Sequence, residues 1–186
     1  MRRICIAVLK VQSNPLGFYA TDKNMYQRIF TFCVGEQIYG LPLLLVGEFC
    51  PSMQLTPIEV GDERIPAVAH VRGITAVVLD MQKVLGSTSK TKASKQRDRI
   101  YILPQDQLCD EAIKRNVKSF EESIVLEVDR LETILDVDQQ DLHPTPAHLN
   151  ADFYHSVYET PNGDVILLEF TKLIDCINLD LKKAHS

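Results

Sequence analysis

Apolar positions in this chain gather in short β-branched and aromatic runs separated by turn residues, the pattern of strands more than of helices. From Arg28 onward the pattern is regular. Ile29 to Val34 (IFTFCV) is followed by Gly35-Glu36 and a second apolar run, Gln37 to Leu45, which predicts a hairpin. Pro51, Pro57 and Pro66 interrupt the next stretch. Gly73 to Leu79 (GITAVVL) predicts a strand ending at Asp80, with MQKVLG as a short strand or turn. Arg99 to Leu103 predicts another strand. Gln107 to Phe120 spaces Leu108, Ile113, Val117 and Phe120 almost helically, so a short helix inserted in a hairpin is expected there. Ser123 to Leu135 alternates as one long strand. His143-Pro144-Thr145-Pro146 is held extended by its prolines. Leu149 to Tyr158 predicts a turn of helix or a short strand, Asn162-Gly163 is a hairpin signal, and Val165 to Ile174 closes the pattern.

Within this order the chain echoes itself. Val77-Val78-Leu79-Asp80-Met81-Gln82-Lys83-Val84-Leu85 matches Ile166-Leu167-Leu168-Glu169-Phe170-Thr171-Lys172-Leu173-Ile174, 89 residues on: apolar triplet, acid, spacer, Lys, apolar pair. Upstream of each lies a further apolar strand, around Leu43 to Phe49 and Val128 to Ile134. Two pairs in one order imply a duplication. Short strands with little helix then predict an all-β protein with short helices, arranged as two small β-barrel lobes.

Composition narrows function without naming it. The 186 residues are 45% apolar and 24% charged, ordinary for a folded chain, and the net charge of -5 argues against a broad nucleic-acid footprint. Five scattered cysteines without a C-x-x-C pair suit a reducing compartment. The apolar start, Ile4 to Leu9, stops at Lys10 without a cleavage pattern, and no run approaches the ~20 residues of a membrane span, so a cytoplasmic protein without direct membrane insertion is expected. Residues 1–27 read as an N-terminal arm, 28–176 as the folded domain and 177–186 as a tail. Within the domain, 87–97 (STSKTKASKQR) reads as a solvated basic linker, with a basic docking site as the sharper alternative.

The search for reactive chemistry is negative. The histidines His70, His143, His148, His155 and His185 have no zinc spacing, and phosphate-binding and nucleophile-elbow motifs are missing. Asp136, Asp138 and Asp141 lack the glycine and terminal glutamate of a calcium loop, which leaves an acidic surface turn. Cys33 and Cys50 sit in apolar strand contexts, as small buried hydrophobes do. No enzyme, no cofactor and no metal are therefore expected. Arg72-Gly73, between two strands, is more informative. Glycine permits positive φ at a tight corner and leaves an arginine projecting beside it, an arrangement suited to a protein interface.

Four segments carry a family resemblance. Ala67 to Gly86 (AVAHVRGITAVVLDMQKVLG) resembles the G-x-x-N-L-R-G-x-x-x-P-V-x-D-L-x-x-x-L-G stretch of the CheW-like coupling domain. Phe32 to Phe49, Ile124 to Pro146 and Asn162 to Ile174 are similar to its other motifs, in order. Ala67, His70, Val77 and Gln82 depart from the pattern, as does Thr133, and Gln107 to Phe120 looks inserted. The resemblance implies two five-stranded SH3-like barrel lobes and a non-catalytic adaptor of bacterial chemosensory signalling. It implies as partners the regulatory domain of a CheA-type histidine kinase and the cytoplasmic tip of chemoreceptors, in a swimming system or a pilus-type array. Carried over by position, partner-binding falls to Val46, Glu48, Val68, Arg72 and Gly73. A small-barrel nucleic-acid binder is the reading from another class. It needs a basic, aromatic-lined face, whereas Phe30, Phe32 and Tyr39 occupy core-like positions.

Overall fold

The computed structural model describes residues 27–50, 53–58, 62–87, 97–146, 149, 153–175 and 177. The arm before residue 27, most of the basic linker and the end of the tail lie outside them. Twelve strands run in the order β1 (Gln27–Val34), β2 (Gln37–Pro42), β3 (Val46–Phe49), β4 (Leu55–Pro57), β5 (Ala67–Val71), β6 (Ile74–Asp80), β7 (Asp98–Ile102), β8 (Ile124–Val128), β9 (Arg130–Val137), β10 (Leu142–Pro144), β11 (Tyr154–Thr160) and β12 (Gly163–Leu168). They form two six-stranded sheets: sheet I, ordered β10-β11-β12-β2-β1-β9, and sheet II, ordered β4-β5-β6-β8-β7-β3.

Written that way, the duplication is visible strand by strand. Each of β1–β6 corresponds to the strand six places later, and the two halves exchange their first hairpins. Thus β1 and β2 sit in the sheet made by β9–β12, while β7 and β8 sit in the sheet made by β3–β6. The join is the same on both sides, a parallel pair: β12 with β2 and β6 with β8. Both outer pairs, β1 with β9 and β3 with β7, carry a register shift at matching places. The expected five strands per lobe become six, because three-residue edge strands, β10 and β4, are added to each sheet.

Burial follows this plan. Phe32, Leu41 and Leu45 meet Leu79, Ile100, Ile102 and Leu126 in one core shared between the sheets, which also takes Phe170, Leu173, Ile174 and Ile177 from the C-terminal helical segment. Each fully buried large side chain there contributes about 1.5–3 kcal/mol relative to exposure. A smaller core lies within each sheet's own curl: Ala67, Ala69, Val71, Ala76, Val78 and Val125 in sheet II, and Ile29, Val137, Val165 and Leu167 in sheet I.

Three local expectations change. MQKVLG is neither strand nor plain turn but a helix, α1 (Met81–Val84), because the Asp80 carboxylate accepts from the Gln82 amide as an N-cap. The same step occurs after β12, where residues 170–175 are helical, so the echo marks two strand-to-helix units. Ser123 to Leu135 is not one strand. It breaks at Asp129, where the chain passes from sheet II to sheet I. The Asp129 N–H donates to the Cys33 carbonyl (3.1 Å), and its carboxylate accepts from the Gly35 N–H (2.7 Å) and the Gln82 side-chain amide (2.7 Å). Alternation cannot reveal a change of sheet, but burial does: all of β8 is buried, and most of β9 is not.

The inserted segment holds α2 (Asp110–Lys114) between β7 and β8, as the spacing predicts, but with a different face inward. Leu108 and Ala112 are buried, and Ile113 is 57% exposed. The helix ends with Asn116 at φ 57°, the Val117 N–H on the Ala112 carbonyl and the Asn116 N–H on the Ile113 carbonyl, a Schellman cap.

Candidate docking corner at the β5–β6 turn

β5 and β6 are joined by two residues, Arg72 and Gly73, with Val71 opposite Ile74. Both central residues have positive φ, 51° at Arg72 and 83° at Gly73, as in a type I′ turn that matches the strands' twist. Glycine adopts this conformation freely, but an arginine held there costs about 1–2 kcal/mol. Positive φ was legible for Gly73 and was missed at Arg72, because the turn type is fixed by strand twist.

The turn aims the guanidinium at β3. Arg72 donates through Nε (3.0 Å) and a terminal nitrogen (2.6 Å) to one Glu48 carboxylate oxygen, with side-chain exposures of 67% and 28%. In the sheet order β3 and β5 are four steps apart, about 19 Å if the sheet were flat. The contact therefore requires sheet II to curl until its ends approach. Being exposed, the pair adds little stability by itself, on the order of 0–1 kcal/mol. Arg72 is thus both projecting and paired.

Around this corner lies a shallow concavity of about 490 Å³, lined by Glu48, Cys50, Met53, Thr56, His70 and Arg72 among others. Burial, with the adjacent Glu48 charge, pushes the Cys50 thiol up to about 11, so it is a neutral donor to Glu48 (3.6 Å) and not a nucleophile. His70 is exposed and shares a hydrogen bond with the Thr75 hydroxyl (3.3 Å).

Of the five carried-over residues, the structure joins Glu48, Arg72 and Gly73. Val46 shares β3 with Glu48, but the register shift between them turns Val46 toward the shared core, where it is half-buried. Val68 lies on the outer face of β5 with His70, opposite the buried Ala67, Ala69 and Val71. Strand alternation places His70 on that outer face, so period-two reading of β5 was enough to find it. Thr56 and Met53 had no such signal. Thr56 enters through β4, a three-residue edge strand set by its partner β5, and Met53 lies two residues before that strand.

No group of three or more His, Cys, Asp or Glu side chains able to hold a metal ion occurs among the described residues. No helix among them is long and apolar enough to cross a membrane. The basic linker is corrected at its end. Arg97 is no solvated cation: its side chain is 16% exposed and is held by Asp80 (2.8 Å) and Glu127 (3.0 Å), with Asp129 at 3.6 Å. Arg99 binds the other Glu127 oxygen (2.8 Å). Acids 17 to 30 residues distant in sequence supply the hydrogen-bonding partners, and a charge count over 87–97 could not see them. Lys90, Lys92 and Lys95 lie outside the described residues.

Comparison with known proteins agrees with this architecture. The family model that matches is the CheW-like domain, over residues 28–176. The crystal structure of scaffolding protein TtCheW from Thermoanaerobacter tengcongensis superposes with a TM-score of 0.65 at 22% identity, covering 80% of this chain and 92% of that one. No curated protein matches.

Proposed function

The chain belongs to the CheW-like domain family, and from that premise we propose that it is a non-catalytic adaptor of a bacterial chemosensory system, joining chemoreceptor tips to the regulatory domain of a CheA-type histidine kinase. The observation that supports this reading is the β5–β6 corner. A guanidinium is held on unfavourable backbone, two-thirds exposed, oriented by Glu48 and bordered by a shallow concavity. Strain kept at an exposed arginine yields little folding stability, so its value lies in what the arginine meets. An arginine oriented by a carboxylate and surrounded by half-buried apolar side chains is the composition of an interface anchor.

Val46, Glu48, Val68, Arg72 and Gly73 are the residues proposed for partner binding. Glu48 and Arg72 make the polar contact, Gly73 allows the turn, Val68 extends the surface on the outer face of β5, and the half-buried Val46 backs β3 from the shared core. The arm at 1–27 and the tail at 177–186 are proposed to flank a single domain at 28–176, and the protein is proposed to work in the cytoplasm at receptor arrays. The test is titration of the purified chain against a kinase regulatory domain and a receptor-tip fragment. Arg72→Asn, which suits the turn but lacks the guanidinium, is expected to weaken at least one partner by about tenfold, roughly 1.4 kcal/mol. Unchanged binding to both would refute the assignment.

A further inference from the structure

Corresponding strands allow the two halves to be compared position by position, and one pair of places has diverged. Val77 opposes Ile124 in sheet II and Ile166 opposes Tyr39 in sheet I, so Asp80 corresponds to Glu169 and Glu127 to Pro42. In the same way Ile100 opposes Leu126 and Phe30 opposes Leu41, which makes Arg99 the counterpart of Ile29. In sheet II these positions, Asp80, Glu127 and Arg99, are joined with Arg97 in one ion network. In sheet I, Ile29, Pro42 and Glu169 line an open cleft of about 690 Å³.

The cleft has a second wall from the other half of the chain. The β1–β2 hairpin closes through Gly35-Glu36, but its counterpart β7–β8 takes residues 103–123 to close. That inserted segment crosses to sheet I. Leu108 and Ala112 fix it in the shared core, Phe120 packs edge-on against Phe170, and the Schellman cap sets the direction of the chain at Arg115–Lys118. The apolar surface of the cleft floor comes from the half-buried Pro42 and Leu142, laid over Ile29 and Leu167, which are themselves buried. Its border carries Lys118, His143 and His155, while Arg115 is paired with Glu111 (2.5 Å) and the one lining acid, Glu169, with Lys172 (2.7 Å). Lys118 is left as the uncompensated charge among these lining residues, opposite in sign to the chain's net charge of -5.

We propose that this cleft is a second docking site, separate from the Arg72 corner, for a short amphipathic helix with acidic flanks presented by a partner protein. Charge complementarity selects the acidic flanks, and the apolar floor takes the residues at i, i+3 and i+4. A helix fits better than an added strand, because the bordering edge strand β10 has only three residues and ends in Pro144, which has no N–H to donate. The site shares no lining residue with the corner concavity, so two partners can be held at once.

The test uses the whole chain and two fluorescein-labelled 18-residue helices with the same leucine spacing, one with glutamates at the polar positions and one with lysines. Fluorescence anisotropy is expected to show at least tenfold tighter binding of the glutamate peptide, weakening as salt is raised. Lys118→Glu combined with His143→Glu should reduce that binding at least fivefold with an unchanged thermal melt, and Lys118→Gln alone should reduce it less. Arg72→Asn should leave it unaltered. Absence of binding, equal binding of the two peptides, or loss caused by Arg72→Asn and not by the cleft variants would overturn the proposal.

Discussion

Sheets I and II are two versions of one six-stranded plan, and their differences are more instructive than their likeness. At equivalent places sheet II has Asp80, Glu127 and Arg99, where sheet I has Glu169, Pro42 and Ile29. The first set forms a nearly buried ion network; the second leaves a cleft. Small cores differ in a complementary way. Sheet II packs Val125 among Ala69, Ala76 and Val78, while sheet I has Gly40 in the place of Val125, facing the larger Val165 and Leu167. Total volume is conserved by exchanging which strand is large. The same backbone plan thus tolerates different side-chain solutions, and where the solution is loose a binding surface can arise.

The ion network should give the largest effect. Glu127→Ala leaves Arg97 and Arg99 without their shared acid in a largely water-excluded place and is expected to cost about 3 kcal/mol, the lower end for a broken buried pair. Urea unfolding measures it. The matching change in sheet I, Pro42→Ala, should cost well under half as much; equal losses would mean that the two places are not different in kind.

Next comes the exchange of core volume. An added Cβ at Gly40 lies 2.7 Å from Leu167 Cδ2, 3.2 Å from Ile29 Cδ1 and 3.3 Å from Val165 Cγ1. Gly40→Val, which copies sheet II, is therefore expected to destabilise by about 1–3 kcal/mol through overpacking. Adding Leu167→Val should recover part of the loss, in a double-mutant cycle read by thermal unfolding. Additive losses would show that the two positions do not compete for one space.

The two hairpin corners, Arg72-Gly73 and Pro161-Asn162, the latter one residue before the expected Asn162-Gly163, sharpen the contrast between strain kept for binding and an ordinary turn. A Cβ at Gly73 meets no atom within 4 Å, so Gly73→Val tests backbone strain alone, expected at about 1–3 kcal/mol. Arg72→Asn should hold or raise stability by up to about 1 kcal/mol, since asparagine accepts positive φ more readily. A destabilised Arg72→Asn protein would mean that the Glu48 pair serves folding.

The smallest effect concerns two thiols, one beside each sheet, that each donate to a glutamate. Cys33 donates to Glu132 on β9 (3.0 Å) and Cys50 to Glu48 on β3, and burial pushes each up to about 11. A raised thiol stays protonated in the fold while the unfolded chain ionises first. Stability from this source is present below about pH 8.5 and is lost as pH rises toward 11. Glu132 has the opposite sign. Its bonds from Cys33 and Arg130 hold it low, so its contribution is present above the ordinary carboxylate range and lost on acidification. Unfolding midpoints at pH 8 and pH 10, compared between the parent and a Cys33→Ala/Cys50→Ala variant, check the thiol part: the parent should lose more.

Legibility followed the range of each interaction. The β6 and β12 echo, the hairpin at Gly35-Glu36, positive φ at Gly73 and the inserted helix all rest on neighbours in sequence, and all were readable. The face that α2 buries was not. Ile113 fits the helical spacing but points to solvent, because Leu108 and Ala112 are the residues that meet the shared core. Glu48 and Arg72 were named by resemblance, but their direct contact depends on the curl of a sheet.

By itself the sequence determined that this protein is built of short strands, twice over, with a glycine-permitted corner bearing an arginine. Those properties follow from alternation, turn chemistry and residue type, which act over a few bonds. The tertiary structure decided that the halves exchange hairpins and that Asp129 is where the chain changes sheets. It also decided that Arg97 is sealed among three acids while its counterpart region stands open. Each of those outcomes depends on groups tens of residues apart being packed and desolvated together, and nothing local in the chain encodes that.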